Sequence, residues 1–161
     1  MRLSDFKVLT FDVYGTLIDW ESGMIAGLKP LTDRVEHELS RDEILQAHAL
    51  HESTQQTYTP TMRYQDLLPL VYRRLAEQWG VKVNWAECLN YGQSVKQWPA
   101  FADSPAALSY LSQHFKLVVL TNTDNDSFMH SQMKLQAEFD GIYTAEAVSY
   151  THLTLPTTPY V

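Results

Sequence analysis

The chain has 161 residues, 45% of them hydrophobic and 19% charged, with a net charge of −7 at pH 7. That composition describes a folded globular protein, either one domain of ordinary size or a small core with an inserted subdomain, and excludes a disordered chain. The acidic balance argues against nucleic acid or an anionic membrane as partner, and the single cysteine, Cys88, excludes an intrachain disulfide and any multi-cysteine metal site. No run approaches the ~18 apolar residues of a membrane helix, so no membrane partner is expected. The N-terminal MRLSDFKVLTF does not read as a signal peptide, and the expected location is cytoplasmic.

Residues 7–11 predict a short strand, apolar and β-branched on both faces as in a buried parallel sheet. Asp12 ends it, and Tyr14-Gly15-Thr16 breaks it. From Glu21 to about Trp98 the spacing is helical. Ser40 with Glu43 forms a capping box for a helix through Ile44, Ala47 and His51. Leu67, Leu68, Val71 and Leu75, flanked by Tyr64 and Trp79, recur at helical spacing and make one apolar face. Pro69 fits that helix with Asp66 as its N-cap, because the first turn lacks intrahelical N–H partners, and Gly80 stops it. Asn84 with Glu87 is a weaker N-terminal signal for a helix towards Lys96.

Ser104-Pro105 then reads as an N-cap followed by proline at the first helical position, opening a helix through Leu108, Leu111 and Phe115. Residues 116–120 predict a second buried strand ending in Thr121-Asn122. Residues 126–135 predict a helix and residues 141–145 a third strand. A strand, a long helical insert, then alternating helices and strands specify an α/β protein: a parallel-sheet core with a helical insertion after its first strand. Ligands of open parallel sheets bind beyond the carboxyl ends of the strands, where Asp12 and Thr121-Asn122 lie. Taken alone, each of these also reads as a turn or a helix cap.

Three segments together, FDVYGTL (11–17), VVLTN (118–122) and WPAFADSPAALSYL (98–111), resemble the haloacid dehalogenase superfamily of hydrolases, in particular the type II 2-haloacid dehalogenase-like subgroup. The similarity runs from about residue 7 to about residue 148. The resemblance implies a Rossmann-like core from residues 1–17 and 100–148, with residues 18–99 as a helical cap. It implies that Asp12 is a nucleophile forming a covalent ester that water then cleaves, with Thr16 orienting it. Tyr14, Gly15, Thr121 and Asn122 become the substrate-binding set. The last two donate hydrogen bonds to the substrate's carboxylate or to the leaving group. A small anionic substrate and no cofactor are implied, with a homodimer through the cap as a candidate assembly.

Phosphatases of the superfamily carry a second aspartate two residues after the nucleophile, as general acid for an alkoxide leaving group. Tyr14 occupies that position here. Halide is a weak base that leaves without a proton, so carbon–halogen hydrolysis is the favoured chemistry. A Mg²⁺-dependent phosphatase is the alternative, and a non-catalytic fragment or binding module a third reading.

Two departures from the pattern follow. The stretch QAHALHESTQQ (46–56) lacks the cap arginine that holds the substrate carboxylate; His48 and His51 are the candidate replacements, and Arg63 reads as a solvated charge. After the third strand the family has a lysine-bearing loop, a further strand and an acidic motif. Residues 151–161 hold neither lysine nor acid, and Lys116 and Lys134 do not match that loop. The stretch SYTHLTLPTT (149–158) resembles translated sequencing-adapter sequence, so residues 149–161 are expected to be a non-native tail on a core lacking its C-terminal strands. On that expectation the first strand becomes an exposed apolar edge, and this chain by itself is inactive and poorly soluble.

Overall fold

The computed structural model describes Arg2 and residues 5–147. Its sheet has three parallel strands, β1 (Val8–Phe11), β2 (Lys116–Thr121) and β3 (Gly141–Thr144), in the order β1-β2-β3. Phe11 pairs in register with Val119, and Thr121 with Thr144, so all three strands end on one edge. Between β1 and β2 run α1 (Trp20–Thr32), α2 (Arg41–Tyr58), α3 (Tyr64–Gln78), α4 (Trp85–Ser94), a 3-10 turn (Val95–Gln97) and α5 (Ser104–Leu111). Helix α6 (Asn125–Leu135) carries the chain from β2 to β3. The α/β architecture read from the sequence is therefore the one observed, and among the described residues the sheet ends at three strands. No helix among these residues is long and apolar enough to cross a membrane. The stretch expected to be a non-native tail lies outside the described residues.

Strand β2 is the buried centre, with Leu117 and Val119 fully covered. Strand β1 is not buried on both faces as expected: Val8 is 44% exposed and Thr10 is exposed. Val8 and Thr10 alternate onto the same face, which is left open, and Leu9 and Phe11 on the other are only partly covered.

Local capping chemistry sets the helix ends. Ser40 Oγ accepts from the Glu43 N–H while Glu43 accepts from the Ser40 N–H, and Asn84 with Glu87 forms the same reciprocal pair. Gly80, at φ +68°, ends α3: its N–H donates to Glu77 O and the Val81 N–H to Ala76 O, satisfying two terminal carbonyls.

Helix α3 corrects the sequence reading of its start. It begins at Tyr64, Arg63 rather than Asp66 precedes its first turn, and Pro69 sits inside it. Proline removes the N–H that would bond Gln65 O and leaves a notch on the helix surface. Helix α4 packs there through Gly92, where an added Cβ would lie 2.5 Å from Gln65 O and 2.8 Å from Pro69 Cγ. Backbone-close packing of α4 thus compensates a proline that local rules place at a helix start. The apolar face of α3 is spent inside the chain: Leu68, Val71 and Leu75 are fully buried in the core that α3 forms with α2 and α4.

Ser104 is corrected as well. Helix α5 starts at Ser104 with Asp103 before it, and the Ser104 hydroxyl donates to Leu17 O instead of capping its own helix.

Candidate active site

Asp12 follows β1 directly, and a tight loop turns the chain behind it. The Val13 carbonyl accepts from the N–H groups of Leu17 (2.8 Å) and Ile18 (2.9 Å), while the Gly15 N–H donates to Ile18 O (2.9 Å). Gly15 adopts φ +98°, and a Cβ there would lie 3.1 Å from Trp20 Nε1, so conformation and space both require glycine. The Asp19 N–H donates to Pro99 O and the Phe101 N–H to Leu17 O, tying the loop to the segment before α5.

The Thr16 hydroxyl lies 3.4 Å from Asp12 Oδ2, a long donor contact that orients the carboxylate. One side of Asp12 meets solvent, yet the protein around it desolvates the carboxyl and raises its pKa above the ordinary value. The Val13 N–H and Thr16 hydroxyl work against that rise without cancelling it.

Tyr14 turns away from Asp12 towards α6. Its hydroxyl is 3.0 Å from Ser131 Oγ, and its ring stands edge-on to Trp98 at 5.8 Å. Burial is the main cause of its raised pKa, so the phenol stays protonated at neutral pH.

Strand β2 ends beside this loop. Thr121 is buried, with its hydroxyl unpartnered, and Asn122 is exposed. Asp124, which the sequence reading passed over, is buried as the N-cap of α6. It accepts from the Ser127 N–H (2.8 Å), the Ser127 hydroxyl (3.0 Å) and the Gln65 N–H (3.5 Å). One carboxylate thus joins the start of α6 to the start of α3. The spacing Asp124-Asn125-Asp126-Ser127 is a legible N-cap signal; the bond to Gln65 is not, because it closes over 59 positions.

Asn122, Thr123 and Asp124 form one wall of a cavity of about 70 Å³ between the sheet edge and the helical segment. Gln56 and Tyr64 face them from α2 and α3, and Met62, Leu67 and Ala145 supply apolar surface. Asp12, Thr16, Thr121 and Asn122 therefore share the carboxyl edge of the sheet, with the cavity beside Asn122.

The candidate replacements for a cap arginine do not reach it. His48 is fully buried, with Nε2 2.8 Å from the Tyr91 hydroxyl, and His51 Nε2 is 2.7 Å from Gln78 Oε1. Arg63, read from the sequence as a solvated charge, is half-exposed and pairs with the equally exposed Asp66 at 2.7 Å. Lys116 begins β2 at the opposite end of the strand, and Lys134 donates to Lys96 O. Lys96 itself pairs with Asp126 at 2.6 Å.

Magnesium takes a near-octahedral shell of oxygen donors, commonly one or two carboxylates with waters and phosphate oxygens. Among the described residues no group of three or more His, Cys, Asp or Glu is arranged to hold a metal ion. Among the described residues, those around Asp12 supply no such set, and Tyr14 rather than a carboxylate stands two positions after it.

No protein-family model and no curated protein matches the chain. Solved structures do match in fold. An L-2-haloacid dehalogenase superposes with a TM-score of 0.74 at 18% identity, over 92% of this chain and 66% of that one. The L-2-haloacid dehalogenase of Xanthobacter autotrophicus with chloropropionic acid covalently bound gives 0.69 at 16% identity, over 89% and 58%. A Bacillus subtilis protein described as a HAD-hydrolase, bound to magnesium, gives 0.67 at 18% identity, over 88% and 66%. The chain thus has the fold of the haloacid dehalogenase structures and spans 58–66% of the length of these three.

Proposed function

We propose that the chain carries the nucleophile-bearing part of a hydrolase of the haloacid dehalogenase type, acting on a small organohalide through Asp12. The observation that carries this reading is the placement of Asp12. It follows the strand at the carboxyl edge of a parallel sheet, with Thr16 on its carboxylate, and the neighbouring strand β2 ends on the same edge at Thr121, next to Asn122. An Asp12 oxygen attacks the halogen-bearing carbon, the new C–O bond forms as the C–halogen bond breaks, and halide leaves with the electron pair. Water then adds to the ester carbonyl, returning the Asp12 carboxylate and releasing an alcohol and a proton. The covalently bound chloropropionic acid in the Xanthobacter neighbour supports this type of chemistry.

The Tyr14 contact to Ser131 supports carbon–halogen over phosphate-ester cleavage. A protonated phenol whose hydroxyl is engaged by α6 is poorly suited to protonating an alkoxide, whereas halide needs no proton. On this reading residues 18–99 are the cap, and the shared edge beside Asn122 is the substrate entrance.

The test is single-turnover halide release. The full chain, in excess over 2-chloropropionate or 2-chloropropionamide, should release halide in proportion to the protein present. Asp12→Asn should abolish that burst. A burst that survives the substitution removes Asp12 from the mechanism. Continuous turnover is not required, because the first displacement needs only the nucleophile and a binding site.

A further inference from the structure

Asp124 is bonded as the cap of two helices. Its Oδ1 accepts from the Ser127 N–H at 2.8 Å, the ordinary N-cap bond of α6. Its Oδ2 accepts from the Ser127 hydroxyl at 3.0 Å and from the Gln65 N–H at 3.5 Å. Gln65 is the second residue of α3, so its N–H is one of the first-turn donors that a helix cannot satisfy from within. The positive ends of two helices thus converge on one carboxylate that is 1% exposed. Capping α6 alone would need a single oxygen, which serine, threonine or asparagine supplies without burying a charge. The second oxygen is explained by α3.

Ser127 and Ser131 follow Asp124 at spacings of three and four, on one face of α6. Ser131 Oγ meets the Tyr14 hydroxyl at 3.0 Å, so the helix that holds α3 at its first residue holds the Asp12 loop two turns later. The same two points are joined a second way. Tyr64, the first residue of α3, stands edge-on to Trp98 at 6.1 Å, and Trp98 stands edge-on to Tyr14 at 5.8 Å. The Trp98 indole N–H is buried and finds no acceptor among the described residues, so packing alone shields that proton. Further along the chain, Lys96 pairs with Asp126 at 2.6 Å and ties the 3-10 turn to α6 as well.

We propose that Asp124 is a positioning residue for the site. By capping α3 together with α6, it clamps the helical segment to the helix that braces Tyr14, and so holds Tyr64 and the Asp12 loop in one register. The inference rests on the hydrolase reading only for its effect on the reaction; the clamp itself stands on the contacts above.

Asp124→Asn separates the clamp from the cap. Asparagine caps a helix as well as aspartate does, but its one acceptor oxygen cannot serve both helices. In NMR hydrogen exchange on the full chain, the substitution should speed the Gln65 amide and the Trp98 indole roughly tenfold or more, as loss of a hydrogen bond to a charged group predicts, and leave the Ser127 amide protected. Asp124→Ser, whose shorter side chain caps α6 alone, reads the same way should the asparagine variant not fold. In single-turnover halide release from 2-chloropropionate, Asp124→Asn should raise the half-saturating concentration roughly tenfold and hold the rate at saturation within about twofold, the pattern of lost binding rather than lost chemistry. Three results would overturn the inference: unchanged exchange at Gln65 and Trp98, loss of protection at Ser127 together with them, or an unchanged half-saturating concentration despite faster exchange. A parent chain that releases no halide sinks the hydrolase reading instead, and the exchange comparison still decides the clamp.

Discussion

The hydroxyl of Tyr14 and the Oγ of Ser131 meet at 3.0 Å across 117 positions of sequence. This contact ties the loop that presents Asp12 to the middle of α6. Ser131 is fully buried, and its hydroxyl also lies 3.3 Å from Ser127 O, so the serine donates to that carbonyl when the phenol donates to the serine. Removing the phenol leaves the serine its bond to Ser127 O, whereas removing the serine takes a partner from a largely buried phenol. Tyr14→Phe should cost about 1 kcal/mol and Ser131→Ala about 1–3 kcal/mol, measured by denaturant unfolding. The double substitution should cost less than the sum of the two, and strict additivity would show that the contact carries no coupling.

Asp12 should behave as a carboxylate held partly out of water. Its folded pKa is raised, so the folded chain binds protons more readily than the unfolded one, and its contribution to stability falls as pH rises through that pKa. Asp12→Asn should therefore be neutral or stabilising at pH 7, by at most about 0.5 kcal/mol given the solvent on one side of the group. The gain should disappear on acidification below the ordinary aspartate value. Single-turnover halide release needs the ionised form. It should hold level near neutrality and fall with acid, with a midpoint above the usual aspartate pKa of about 3.9.

Gly92 should tolerate no side chain. Helix α4 meets α3 at the notch left by Pro69, and a methyl group would sit 2.5 Å from Gln65 O. Gly92→Ala gains helix propensity, yet it should destabilise the protein by about 1–3 kcal/mol through overpacking. Gly80→Ala should also destabilise, for a different reason: space is open there, but the backbone is left-handed. A thermal melt that leaves both variants unchanged would contradict the packing described.

The outer edge of β1 should govern association. Val8 is 44% exposed on a strand that is paired on one side among the described residues. Val8→Lys should lower aggregation in a concentration series read by light scattering, because a charged edge strand resists strand addition.

Much of this architecture was legible because its determinants are local. Strand β2 ends where its apolar run meets Thr121, the capping pairs at Ser40 and Asn84 close within one turn, and Gly80 stops α3. Asp12, Thr16, Thr121 and Asn122 were legible from position, since parallel strands deliver their C-terminal residues to one edge. What was not legible depends on distant partners. Pro69 sits inside a helix because Gly92 covers the notch, and Ser104 leaves its capping role because Leu17 O lies within its reach. The phenol of Tyr14 turns to Ser131, and the Gln65 N–H finds its acceptor in Asp124.

The most direct test of the nucleophile is peptide mass spectrometry of the chain after incubation with 2-chloropropionamide or 2-chloropropionate in ¹⁸O-water. The expected result is a modified Asp12: either the ester, heavier by the substrate less hydrogen halide, or a carboxylate carrying ¹⁸O where the ester has been hydrolysed. An Asp12 peptide that stays unmodified and unlabelled with both compounds would contradict the account.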